Sequence, residues 1–338
     1  MKISVAIATY NGEKYLKKQL DSILKQDSIK VYEIVVCDDI STDKTNEILE
    51  HYSHLYPNVF KVHKNNINLG STKNFEKAIS LCKGDFIFLA DQDDIWKNDK
   101  IKKTLDIFEN NKTAEGVFSN ADIIDDNDKL IHTITIWDSV FFFEKELPKP
   151  IDFFDIISKN GNVVTGATLC IKKSVKDFIF PFSEDMLHDV WIASYLALKN
   201  TLYYSTENLI SYRLHKNQQV GMKNINKIKK KERLKRIILN LEEPKTYKEY
   251  RFLSKKIYLK LCNSIKFNQV LLPNLNLSNL VIESKNDWIK IKNTIKLKFP
   301  IKYVLFNFID SLRGKRKFKI LKNSLSFCVI HISVFQIV

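Results

Sequence analysis

The chain has 338 residues, 44% hydrophobic and 12% aromatic, with only eight Gly and seven Pro. That composition can fill the core of one large or two smaller domains, and it excludes a disordered, collagen-like or solenoid chain. The net charge of +15 is uneven: residues 213–322 carry 29 Lys and Arg against seven Asp and Glu, while the remainder carries 25 against 32.

The five cysteines, Cys37, Cys82, Cys170, Cys262 and Cys328, are odd in number and lack a CxxC pair or zinc-site spacing. Reduced thiols in a cytoplasmic protein are the expectation. The apolar stretch after Met1 is too short for a signal peptide, so the mature chain is expected to start there. No apolar run reaches the ~18 residues of a spanning helix.

In chain order, Met1 to Thr9 reads as a strand, Glu13 to Gln26 as a helix, Val31 to Cys37 as a strand and Thr42 to Tyr56 as a helix. Asn58 to His63 is a shorter strand and Asp85 to Ala90 a clearly buried one. This alternation predicts an α/β fold with a mostly parallel sheet flanked by helices. Further on, Glu115 to Ser119, Leu130 to Ile136 and Asn162 to Ile171 read as strands, and Ile151 to Ser158 and His188 to Lys199 as helices. The charge shift sets a boundary near Lys216. Residues 1–216 are expected to form one domain with two halves, 1–96 and 97–216, and residues 217–338 a basic helical tail that includes Ile225 to Leu241.

Ligands collect at the carboxyl ends of parallel strands, and three polar sequences fall there. Thr9-Tyr10-Asn11-Gly12 follows the first strand, Asp38-Asp39-Ile40-Ser41-Thr42-Asp43 the second and Asp91-Gln92-Asp93-Asp94 the fourth. Each has an ordinary alternative as a turn or helix cap. Crowded carboxylates such as Asp91, Asp93 and Asp94 repel one another, and a hard cation such as Mg²⁺ or Mn²⁺ relieves the repulsion while bridging to a phosphate.

The successive segments AIATYNGEKYL, IVVCDDISTD, NLGSTKNFEKAI and FLADQDDIW resemble the signatures of family 2 glycosyltransferases of the GT-A fold. Asn162 to Thr168, Leu187 to Trp191 and Tyr212 to Asn217 resemble the rhamnosyltransferase-like branch, and the likeness covers roughly residues 1–220. It implies an inverting, metal-dependent enzyme that moves a sugar, rhamnose or a hexose or N-acetylhexosamine, from a nucleoside diphosphate donor. The acceptor would be a hydroxyl of a glycan or lipid-linked molecule in cell-surface polysaccharide synthesis.

Carried over residue by residue, Asp93 is the principal metal ligand of a DxD motif, with Asp91 on ribose or the hydrated cation and Asp94 in support. Thr9, Tyr10, Asn11, Glu13, Asp39 and Asn74 hold the nucleotide sugar, Asp39 reading a uracil or thymine edge. Asp189 is the general base. Arg213 contacts the leaving diphosphate, and His215 completes the metal shell. His188, beside the base, either shapes the acceptor pocket or only packs.

Beyond the resemblance, residues 225–322 interleave Lys and Arg with apolar and aromatic residues, as in Trp288-Ile289-Lys290-Ile291-Lys292. Such helices bind anionic membrane surfaces, so a peripheral position on the inner face of the plasma membrane is expected. Leu325 to Val338 is a final apolar stretch. A solvated extension or dimer element is the alternative. Nucleic acid is not expected, because no zinc-finger, RNP-like or helix-turn-helix pattern accompanies the charge. A nucleotidyltransferase and a non-catalytic sugar-nucleotide-binding module are the rival functions.

Overall fold

The computed structural model describes residues 1–27, 29–216, 228–270 and 277–305. The expected Leu325 to Val338 stretch, Cys328, Asn217 and the start of the Ile225 to Leu241 helix lie outside these residues.

Among the described residues nine strands form one sheet: β1 Ile3–Thr9, β2 Glu33–Asp38, β3 Phe60–Lys64, β4 Phe86–Asp91, β5 Ile95–Trp96, β6 Gly116–Ile124, β7 Leu130–Thr135, β8 Cys170–Lys172 and β9 Leu202–Arg213. Their order is β3-β2-β1-β4-β8-β6-β9-β5, with β7 on β6. The first four are mutually parallel, β1 pairing with both β2 and β4. β8 runs antiparallel between β4 and β6, and β9 is parallel to β6.

Strands β1 and β2 are buried along almost their whole length. Helices therefore cover both sheet faces, and alternation of apolar and polar residues disappears from these strands. The helices are α1 Leu16–Leu24, α2 Thr45–Leu55, α3 Gly70–Leu81, α4 Lys100–Asn110, α5 Ile136–Val140, α6 Phe153–Asn160, α7 Lys176–Ile179, α8 His188–Leu198, α9 Ile228–Ile238, α10 Tyr247–Val270 and α11 Ser278–Lys298. Helix α3 lies on β1 and β2, burying Phe75, Ala78 and Ile79.

One expected strand is mostly absent. Within Asn162 to Ile171, only Cys170 and Ile171 are extended in a ladder, and Gly166–Thr168 is a single 3-10 turn. The segment is apolar because it is a buried loop: Val163, Val164, Ala167 and Leu169 are all enclosed. Its backbone groups find partners outside a ladder, Leu169 O accepting from Leu89 N and Ala167 O from Lys100 Nζ.

The charge boundary near Lys216 marks a change of composition within a continuous core. Helices α9 and α10 pack on α6, and Phe267 is buried against Trp191 and Phe154 at centroid distances of 5.7 and 5.8 Å. Among the described residues no helix is long and apolar enough to cross a membrane. Cys37, Cys82, Cys170 and Cys262 are not joined in disulfides.

Candidate active site

The loops after β1, β2 and β4 are fastened to one another before any ligand is considered. Tyr10 N–H donates to Gln92 Oε1 at 2.9 Å, and Gln92 Nε2 returns a bond to Tyr10 O at 3.0 Å. Gly12 N donates to Thr45 Oγ1, Asn11 N to Ser41 Oγ, and Asn11 Oδ1 accepts from Thr42 N at 2.8 Å. Thr9 Oγ1 donates to Asp38 Oδ1 at 2.9 Å. Gln92 and Ser41 thus act as crosslinks, a role their types alone do not announce.

The loops open onto a cavity of about 1050 Å³ lined by Thr9, Tyr10, Asn11, Asp39, Asn74, Asp91, Asp93, Asp189 and His215, among others. Asp39 is buried at its floor, accepting from Asn65 Nδ2 and Leu69 N at 2.8 Å and from Gly70 N at 2.9 Å. Asn65 also donates to Asn74 Oδ1, and Asn74 donates to Cys37 O. The Asp39 carboxylate is therefore fixed in orientation against the start of α3.

Two expected contacts need correction. Glu13 does not line the cavity; its carboxylate accepts from Lys44 N at 3.0 Å and fastens the first loop to the second. Arg213 does not line it either. Its guanidinium is fully buried, donating to Asp93 O at 2.7 Å and Asp125 O at 2.9 Å, pairing with Asp128 at 2.6 Å and lying over the Tyr15 ring. Neighbours on a strand point to opposite faces. Tyr212 faces the cavity and Arg213 faces the packing below the Asp93 loop. Arg213→Met is accordingly expected to lower stability by about 3 kcal/mol, since it strands a carboxylate and two carbonyls. The urea midpoint reads this directly.

Asp91, Asp93 and Asp94 place one ligand atom each within 4.8 Å of one another. His215 Nε2 lies 2.7 Å from Asp93 Oδ2. Asp94 is buried, its Oδ1 accepting from Arg213 N at 2.9 Å and its Oδ2 without a hydrogen-bond partner. Burial, then the charges of Asp93 and Asp189, push the Asp91 carboxyl up to about 8. Burial, then Asp93 and Asp91, also hold Asp94 well above the carboxylate range. A set of hard carboxylate oxygens with one imidazole, repelling when ionised, suits a divalent cation such as Mg²⁺ or Mn²⁺.

Lys100 is a cationic neighbour that the sequence reading missed. It opens α4, where a lysine reads as solvated, yet it is buried over the Trp96 ring and donates to Ala167 O at 2.9 Å. Burial pushes it down to about 7 against the opposing charges of Cys170, Asp94 and Asp91.

Asp189 stands in the first turn of α8, its Oδ1 accepting from Val190 N at 2.7 Å. Burial pushes it up to about 6, opposed by bonds from the Val190 and Gly166 backbone and the Asn162 side chain. Asn162 lines the cavity and was likewise missed. His188 both packs and lines the cavity: its ring stacks on Phe75 at 4.1 Å, neither nitrogen has a partner, and burial pushes it down to about 3. It is a neutral wall of the cavity. Gly166 leaves room for it, since a Cβ there would lie 2.8 Å from His188 Nε2.

A parallel α/β sheet with a three-carboxylate cluster after its fourth strand, continued by a mixed second half, is the architecture of GT-A glycosyltransferases. The sequence model described as Glycosyl transferase family 2 matches residues 4–177, and the chain belongs to that family. The dTDP-rhamnosyl transferase RfbG of Shigella flexneri is 32% identical over 228 residues, covering 64% of this chain and 73% of that protein. The chondroitin synthase of Escherichia coli is 35% identical over 136 residues, 40% of this chain and 19% of that protein. Residues 1–349 of S. aureus TarS in complex with UDP superpose with a TM-score of 0.51 at 19% identity, covering 94% of this chain and 91% of that one. Family membership sets aside the nucleotidyltransferase alternative.

Proposed function

We propose that this glycosyltransferase moves a sugar from a nucleoside diphosphate donor to an acceptor hydroxyl in cell-surface polysaccharide synthesis, with inversion at the anomeric carbon. The carrying observation is that one cavity holds Asp91, Asp93 and His215 together with Asp189. Rhamnose from a thymidine donor is supported by the likeness to RfbG, and a hexose or N-acetylhexosamine from a uridine donor is the wider set.

Asp93, Asp91 and His215 would hold the divalent cation, which offsets the charge developing on the leaving diphosphate. Asp39 presents a carboxylate oxygen to the base, and the clamped backbone of Tyr10 and Asn11 shapes the nucleoside wall. Asp189 accepts the proton of the attacking hydroxyl, its raised pKa giving it more proton affinity than an exposed carboxylate. Lys100 balances the buried negative charge beneath the cluster.

The proposed placement at an anionic membrane surface is supported by the tail, where Ile282, Ile289, Leu297 and Ile301 are exposed among lysines. The test of the function is release of nucleoside diphosphate from a panel of thymidine, uridine and guanosine diphosphate sugars with Mg²⁺ or Mn²⁺. Turnover of at least one donor, abolished by EDTA, is expected. No turnover of any donor contradicts the reading.

A further inference from the structure

We propose that the acceptor carries a phosphoryl group, held by Lys231 and Lys235 at the rim of the cavity; this names the acceptor class and rests on the glycosyl-transfer reading above. Lys231 and Lys235 stand four residues apart on α9 and so share a face of the helix. Lys231 is exposed and lines the cavity. Lys235 is half-buried, donating from Nζ to Asn160 O at 2.6 Å and lying 5.4 Å from the centroid of Phe141, another cavity residue.

Lys256, on α10, adds positive charge to the surroundings of Lys235. Burial, then the charges of Lys256 and Lys231, push Lys235 down to about 8. None of the three has a carboxylate partner among the described residues. Lys159 and Lys260 provide the contrast in the same region, since they share Asp155 at 2.5 and 2.7 Å. Two like charges on a partly dry rim without a carboxylate counter-ion are a standing repulsion that an incoming anion relieves. A dianionic phosphoryl group answers two ammonium groups better than a carboxylate does.

The position suits an acceptor held on the Asp189 side of the cavity. Asn162, which lines the cavity together with Asp189, lies two residues beyond Asn160, the residue that Lys235 holds. That span is at most about 7 Å of chain. The cations therefore sit near the proposed base, while the donor diphosphate belongs with Asp91, Asp93 and His215.

The test is calorimetric titration of the full chain, in EDTA, with octyl phosphate and with octyl glucoside, both below their micelle concentrations. Chelation keeps the carboxylate cluster from drawing phosphate through a metal. Octyl phosphate is expected to bind at least about tenfold tighter, and Lys231→Gln and Lys235→Gln each to remove about tenfold, the range of one charge-assisted bond. Lys296→Gln, on the exposed face of α11, is expected to change nothing. Ethyl phosphate separates the sources: affinity close to octyl phosphate indicates a phosphorylated soluble glycan, and much weaker affinity indicates a lipid-linked phosphate.

Three results overturn the proposal: equal affinity for octyl phosphate and octyl glucoside, an equal loss in Lys296→Gln, or lysine variants that raise the KM for nucleotide sugar as much as they weaken octyl phosphate. The last would assign the lysines to the leaving diphosphate. A chain that turned over no nucleotide sugar would remove the transfer reading and leave these binding results interpretable.

Discussion

Asp93→Asn is expected to lower transfer by about 10³-fold, the several kcal/mol that a cation at the leaving group supplies, and to make the EDTA-treated protein more stable. The two effects share one cause. Burial and the Asp93 charge raise the folded-state values of Asp91, to about 8, and Asp94. A carboxyl raised on folding binds more protons in the native than in the unfolded state, so stability falls as pH rises from the ordinary value of 3.8 toward the folded one. Removing the Asp93 charge lowers both folded values and flattens that fall, while the amide oxygen still accepts from His215. At pH 7.5 in EDTA the variant should melt above the wild type. Added Mn²⁺ should raise the wild-type Tm and leave the variant's unchanged. A variant that transfers sugar at the wild-type rate would remove Asp93 from the cation site.

The second large effect concerns the acceptor side. Asp189→Asn is expected to reduce kcat by about 10²- to 10⁴-fold, the range of a positioned general base. The pH profile separates catalysis from packing. Only the carboxylate can take the hydroxyl proton, and burial places its titration at about 6. Wild-type kcat/KM should therefore fall about tenfold per pH unit below that value and level off above it. In Asp189→Asn the residual activity should lose this acid limb. A limb that persisted in the variant would belong to another group.

Much of this was legible in the sequence, for physical reasons that differ by segment. Strands β1, β2 and β4 are buried on both faces, so each is a short unbroken apolar run bounded by polar residues. The loops that gather at their ends were legible for the same reason. The segment from Asn162 misled because burial, and not strand period, makes it apolar; a closed loop and a central strand look alike when every side chain is inside. The errors at Glu13 and Arg213 have a common origin. A linear motif tells which residues stand near a site but not which way each one faces. Arg213, one position from Tyr212, points to the opposite side of β9 and supports the Asp93 loop from beneath. The roles of Lys100 and Gln92 escaped notice because their side-chain hydrogen bonds are made with residues at least 67 positions away in sequence. The packing of α9 and α10 was hidden by charge: Ile237, Ile238 and Phe267 are buried apolar positions set within a strongly basic stretch.

The central claim is that cation and base act from opposite sides of one anomeric carbon. The most direct measurement is the anomeric configuration of the product, read from its one-bond carbon–proton coupling by NMR and compared with that of the donor. Inversion is predicted, because in the proposed single displacement Asp189 activates the acceptor and no covalent sugar intermediate forms. Retention of configuration would contradict the account.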